Sequence, residues 1–131
     1  MSAFLYLLLF DPKLAVARRT CALAVYLAIV IAGSIPGARA GIGEYASGVV
    51  LHSLAYAGLA FLWFTGSAGS PAARAGKAML AVTVMGAGDE LVQSLLPYRV
   101  GSVNDWLLDC MAGFATCTLL WLLVPRTALA R

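Results

Sequence analysis

The sequence predicts an all-α integral membrane bundle of four transmembrane helices, and three observations predict it. Of the 131 residues, 62% are hydrophobic and only 11% charged, with a mean hydropathy of +0.89, whereas soluble domains are roughly half apolar and about a quarter charged. The apolar residues fall into four runs close to the roughly 20 residues that cross a bilayer. The breaks between the runs collect Gly, Pro and Ser, the residues of turns. A soluble protein with this composition would expose aggregating patches that a bilayer accepts directly. Residues 1–131 read as one domain, with no internal repeat or low-complexity tract.

The opening "SAFLYLLLF" is too short to span. It lacks a basic start and a small-residue cleavage site, so it reads as an interfacial or frayed start rather than a signal peptide. The first helix is expected from about Leu14 to Ile35, where Pro36 disfavours helix in the residue before it and glycines follow. The second runs from about Tyr45 to Thr65. "GSAGSPAAR" is a loop, the third helix follows over about 75–96, and the fourth occupies about 105–124. Cys21, Cys110 and Cys117 are odd in number, form no CxxC and lie in apolar runs, so they are expected as small buried hydrophobes rather than a disulfide or zinc framework. Trp63, Trp106 and Trp121 suit an interface belt, and Gly86 and Gly113 suit close helix packing.

The basic residues orient the bundle. With helices so drawn, Lys13, Arg18, Arg19, Arg74, Lys77, Arg126 and Arg131 fall on one side, and Arg39 and Arg99 on the other. The positive-inside rule then puts both termini and the GSAGS loop in the cytoplasm and the turns around Arg39 and Arg99 outside. The net charge of +3 is carried by these flanks and does not imply nucleic acid.

Against this background "GDELVQSLLPYRVGSVNDWLLD", residues 88–109, stands out: it holds four of the six carboxylates. Glu90 and Gln93 precede Pro97 by seven and four residues, which places them within roughly 10 Å of the outer end of the third helix. Asp105 and Asp109 open the fourth helix from the same end, and His52 lies near the outer end of the second. Glu90 and Gln93 share a helix face at i, i+3; Asp105 with Asp109, and His52 with Tyr56, do so at i, i+4. Asp89 is turned about 100° away from Glu90. Ionisable groups in hydrocarbon cost several kcal/mol unless paired or wetted, so these faces are expected to converge on one site.

The order "SIPG", "LHSLAYAGLAF", "DELVQSLLPYRVGSVNDWLLDCMAG" resembles the VanZ-like family, small bacterial membrane proteins named for a component of glycopeptide (teicoplanin) resistance. The likeness runs from Ser34 to about Gly113, and its most specific part is the E-x-x-Q, P-x-R, G-S-x-x-D-x-x-x-D run. It implies that His52, Tyr56, Glu90, Gln93, Arg99, Ser102, Asp105 and Asp109 form the site. It also implies a role in the bacterial cell envelope, in the inner membrane, with no settled reaction attached. One departure is visible: the family often carries a charged residue shortly before the histidine, where "SGVVL" is neutral.

With Glu90, Asp105 and Asp109 ionised beside Arg99, the formal sum is about minus two, a deficit that protons, a cation or a positively charged ligand would offset. Protons shared among the carboxylates rank ahead of a divalent cation, because the spacing specifies no metal, and no cofactor is assigned. Arg99, just beyond Pro97, could grip a phosphate or carboxylate with its fork. The opening turn of the fourth helix adds N–H groups, with Ser102 and Asn104 as caps. The plainer readings are an Arg99–Asp105 ion pair or interfacial anchor, Asp105 as a cap or first-turn dipole partner, His52 bonded to Glu90 as a tie between helices, and Gln93 as interhelical glue.

Other motifs are set aside. "GSVNDWLLD" fits the second half of the CDP-alcohol phosphotransferase signature, but the first half, D-G-x-x-A-R, is absent. Ser67 and Ser70 have no His or Asp nearby and lie at the opposite face from the site. Three functions remain. One is an accessory protein whose outer pocket binds membrane lipids or an anionic lipid-linked or peptidoglycan-related ligand. The second is a small membrane enzyme acting on a lipid headgroup, with His52, Glu90 and Asp109 as catalytic candidates and Arg99 holding the anion. The third is a proton-coupled carrier, which four helices could supply only as a homo-oligomer.

Overall fold

A computed structural model of the chain describes residues 9–43 and 45–124. The described residues are helical and contain no strand. After a 3-10 turn at Pro12–Leu14 come α1 (Ala15–Ser34), the short α2 (Ala38–Gly43), α3 (Gly48–Gly66), α4 (Pro71–Ser94) and α5 (Val103–Leu123). Four of these are long, as the apolar runs predict. Among the described residues three stretches, Pro12–Ser34, Gly48–Gly66 and Val103–Leu123, are long and apolar enough to cross a membrane. α4 has 24 residues, about 36 Å of helix, but it carries Arg74, Lys77, Asp89 and Glu90. The bulk of "SAFLYLLLF", together with Arg126 and Arg131, lies outside the described residues. Phe10, at the end of that stretch, is buried in the core.

Local chemistry sets the boundaries. α1 stops at Ser34 because Ile35, held extended before Pro36, cannot continue it, and Gly37 then turns with φ +79°. Ser47 caps α3, its Oγ accepting from Val50 N. α4 starts earlier than the expected residue 75. Ser70 Oγ accepts from Ala73 N, and Pro71 takes the first helical position, where its missing N–H costs nothing. "PAAR" is therefore the first turn of a helix and not loop. α5 likewise begins at Val103, two residues before the expected start, behind the Ser102 cap.

α3 lies at the centre and packs on α1, α4 and α5, while α5 also packs along α4. Tyr56, Leu59, Ala60 and Phe64 of α3 meet Ala78 and Val82 of α4 and Cys117 of α5 in the core. Gly113 is needed there: a Cβ would stand 2.9 Å from Val82 Cγ1, so α4 and α5 approach closely at this point. The surface is apolar instead, with Leu27, Ile31, Leu54, Leu80, Phe114 and Leu122 among the exposed side chains. Outward leucines around buried carboxylates are the arrangement hydrocarbon favours and water does not. The cysteines depart from expectation, since only Cys117 is buried; Cys21 is exposed and Cys110 half-buried, and all three are free.

Candidate functional site

The two ends of the bundle are chemically distinct. At one, α3 terminates and α4 begins. There Arg18 Nε donates to Thr65 O at 3.1 Å, Arg19 Nη1 to Gly66 O at 2.9 Å, Arg74 Nε to Gly69 O at 2.9 Å and Lys77 Nζ to Ala68 O at 2.9 Å. Arg18 and Arg19 thus meet the last carbonyls of α3, which also suits its dipole, while Arg74 and Lys77 reach back from α4 to carbonyls of the loop between the two helices. Four of the seven basic residues expected on one side therefore gather at one end. Arg99 lies at the other.

At that other end α4 stops and α5 starts, and the predicted convergence is found. His52 of α3, Glu90 of α4 and Asp109 of α5 each bring a potential ligand atom within 4.8 Å of the other two. His52 Nδ1 lies 2.8 Å from Asp109 Oδ1. With the carboxylate ionised, Nδ1–H is the donor and Nε2 is the ring's remaining position. The tie expected between His52 and Glu90 is thus made to Asp109 instead, the acid that a turn of α5 places directly opposite. Glu90 Oε2 accepts from the backbone N–H of Ser102 at 2.6 Å. The face expected to be shared at i, i+4 is shared, with the His52 and Tyr56 rings 5° from parallel and their centroids 6.2 Å apart.

The turn from α4 to α5 is shaped to bring Ser102 onto Glu90. A Cβ on Gly101 would stand 2.5 Å from Glu90 O, so only glycine lets the turn lie against α4. Ser102 Oγ accepts from Asp105 N at 3.2 Å, which fulfils the cap reading and places Asp105 in the first turn. Two amides expected to be open to an anion are consequently filled from within the chain. Arg99 Nη2 donates to Gln93 Oε1; it does not pair with Asp105, and Gln93 ties the turn to its own helix rather than joining two helices. Gly86 makes room on α4 for Asp109, whose Oδ2 would lie 3.1 Å from a Cβ there. Trp106 Nε1 donates to Thr83 O at 3.0 Å, so this tryptophan links α5 to α4 rather than serving only as an interface anchor.

Two participants escaped the sequence reading. Asp89, expected to point elsewhere, is 2% exposed, and Tyr56 OH donates to its Oδ2 at 3.5 Å. Tyr26 of α1 lies over the same turn, its hydroxyl 2.6 Å from where a Gly88 Cβ would be. The available signal was the "GDE" run: glycine at 88 opens one face of α4 to a phenol while Asp89 and Glu90, about 100° apart, address two neighbours. A cavity of about 210 Å³ adjoins this end, with His52, Tyr56, Asp89, Gln93 and Arg99 among its walls beside Ile29 and Leu51.

Burial makes the cluster unusual. Asp109 is 0%, Asp89 2% and Glu90 8% exposed, and Asp109 Oδ2, Asp89 Oδ1 and Glu90 Oε1 have no hydrogen-bond partner among the described residues. Each such oxygen in an apolar setting carries a desolvation cost of about 1–3 kcal/mol or more. A carboxylate-oriented imidazole, two further acids and a guanidinium beside a cavity can move protons, hold a cation, or grip an anion at the rim. No protein-family model, curated protein or solved structure matches this chain.

Proposed function

We propose that this chain is a VanZ-like protein of the bacterial cell membrane whose polar pocket, facing the extracytoplasmic side, binds an anionic lipid-linked or cell-envelope ligand. Its biological role on this reading is the one linked to glycopeptide (teicoplanin) resistance. The observation that carries it is the convergence of His52, Glu90 and Asp109, from three helices, beside a cavity whose rim holds Arg99. Arg99 spends one donor on Gln93 and keeps the rest of its fork for a phosphate or carboxylate. The sequence resemblance and the seven-to-two distribution of basic residues support the family and the orientation.

A second reading has its own support. The His52–Asp109 contact of 2.8 Å is the pairing of a base with the acid that fixes its tautomer. A small membrane enzyme acting on a lipid headgroup would use His52 or Glu90 as general base, with Arg99 holding the anion. One experiment addresses both. The protein is expressed in a teicoplanin-susceptible bacterium, purified in mild detergent, and its co-purifying lipids are compared with the bulk membrane by mass spectrometry. An anionic lipid-linked species should be enriched, and Arg99→Gln should lower that enrichment more than about 10-fold, the scale of one charge-assisted contact. Equal retention by Arg99→Gln, or no enrichment, defeats the binding proposal. Glu90→Gln keeps the ligand on both readings but halts any conversion of the lipid pool; continued conversion excludes Glu90 as the base.

A further inference from the structure

We propose that His52, Glu90 and Asp109 form a binding site for one divalent first-row transition-metal ion such as Mn²⁺, Fe²⁺ or Zn²⁺. This goes beyond the lipid reading and does not depend on it. The donors are an imidazole and two carboxylates, with potential ligand atoms within 4.8 Å of one another. An imidazole favours these ions over Mg²⁺ and Ca²⁺, which prefer oxygen throughout.

Three independent features point inward to a ligand. Glu90 Oε1 and Asp109 Oδ2 are without partners among the described residues, in side chains that are 8% and 0% exposed; an ion would meet both needs, and its double charge would offset both carboxylates. His52 Nδ1 and Asp109 Oδ1, 2.8 Å apart, stand near the separation of about 3 Å between neighbouring ligands of an ion bound at about 2.1 Å; binding would exchange the proton between them for the ion and leave the imidazole N–H on Nε2. Glu90 is also steadied from behind, because the Ser102 N–H holds Oε2 and leaves Oε1 for the centre, the kind of support that ligating carboxylates receive elsewhere. His52 borders the cavity of about 210 Å³, which supplies a route of entry and room for water to complete the coordination.

The sequence ranks protons above a metal at this site because spacing alone selects no ion. The folded geometry adds what spacing cannot: three donors from three helices at ligand-to-ligand distances, with two buried oxygens unclaimed.

The chain contains a single histidine, which makes the test specific. Full-length, tag-free protein in detergent is stripped with chelator and titrated with Mn²⁺, and the bound ion is examined by pulsed electron paramagnetic resonance for coupling to an imidazole nitrogen. One Mn²⁺ per chain with nitrogen coupling is expected. No stoichiometric binding, or binding without nitrogen coupling, overturns the site. Asp109→Asn and Glu90→Gln should each weaken Mn²⁺ by more than about 10-fold, the lower figure for losing a residue that merely supports a ligand; unchanged affinity in either folded variant also overturns it. Should a variant fail to fold, the nitrogen signal of the unaltered protein still decides.

Discussion

Arg18, Arg19, Arg74 and Lys77 at one end of the bundle each donate to a backbone carbonyl, whereas Asp89, Glu90 and Asp109 at the other each keep an oxygen without a partner among the described residues. Both ends concentrate charge in a chain that has little. At the basic end the charges complete the backbone: the last carbonyls of α3 lack intrahelical donors, and arginine brings them under a chain that must be satisfied from within. At the acidic end helix caps are already provided by serines, and each acid, bonded through one oxygen, keeps a second oxygen whose desolvation no contact among the described residues recovers. Side chains that finish a helix are accounted for by the fold. Those that burden it point to a ligand.

The largest effect is expected where the acidic end is built rather than where it acts. Gly101→Ala would press a Cβ to 2.5 Å from Glu90 O. The obstacle is backbone, not a flexible side chain, so the α4–α5 turn must shift and Ser102 N leaves Glu90. Destabilisation of about 3 kcal/mol or more is expected, read as a lowered thermal midpoint in detergent. An unchanged midpoint would mean that the turn is not held against α4.

A paired comparison comes next and tests the contrast itself. Arg19→Met keeps an unbranched stem but removes the bond to Gly66 O of 2.9 Å, a charge-assisted hydrogen bond worth about 1.5–3 kcal/mol. Asp109→Asn, in chelator-treated protein, keeps an acceptor for His52 and removes a buried charge that has one unpartnered oxygen. Above the pH at which His52 loses its charge, the imidazole keeps its acceptor and the buried charge is gone, so stability should change by less than about 1 kcal/mol or rise. Midpoints measured side by side decide the matter: if Asp109→Asn costs as much as Arg19→Met, the acids hold the fold together and the distinction between the two ends fails.

The contrast also shows what could be read from the chain beforehand. The four long helices were legible as apolar runs between turn residues, although three of them are apolar enough to cross a membrane and the short Ala38–Gly43 helix falls where a turn was expected; Ser34–Ile35–Pro36 stops a helix by local sterics alone. The meeting of His52, Glu90 and Asp109 was legible because each is costly in lipid and all three sit at one calculated depth. The start of α4 was missed since Ser-Pro-Ala-Ala serves equally as loop and as capped first turn, and only the Ser70 bond to Ala73 N distinguishes them. Asp89 was missed for a related reason. Helical angle separates it from Glu90, but a second neighbour, α1 with Tyr26, waits on the other side, and no spacing within α4 announces a partner some sixty residues away. His52 was matched to the wrong acid because depth along a helix can be counted from sequence while rotation about its axis relative to another helix cannot.

The smallest effect tests how the acidic end is closed. Tyr98 OH, in the turn beyond Pro97, donates to Ser34 O at 2.6 Å, so a residue next to Arg99 ties the α4–α5 turn to the last carbonyls of α1. The carbonyl would otherwise be met by water, since Tyr98 is half-exposed, and the net value of the bond is about 0.5–1 kcal/mol. Tyr98→Phe should therefore barely move the thermal midpoint. Its consequence should be local: with the tie gone, amide hydrogen exchange should quicken through residues 97–101 while α3 stays protected, because the turn opens without the bundle unfolding. If exchange quickens equally through α3, the turn and the core open together, and the rim of the cavity is as rigid as the helices that frame it.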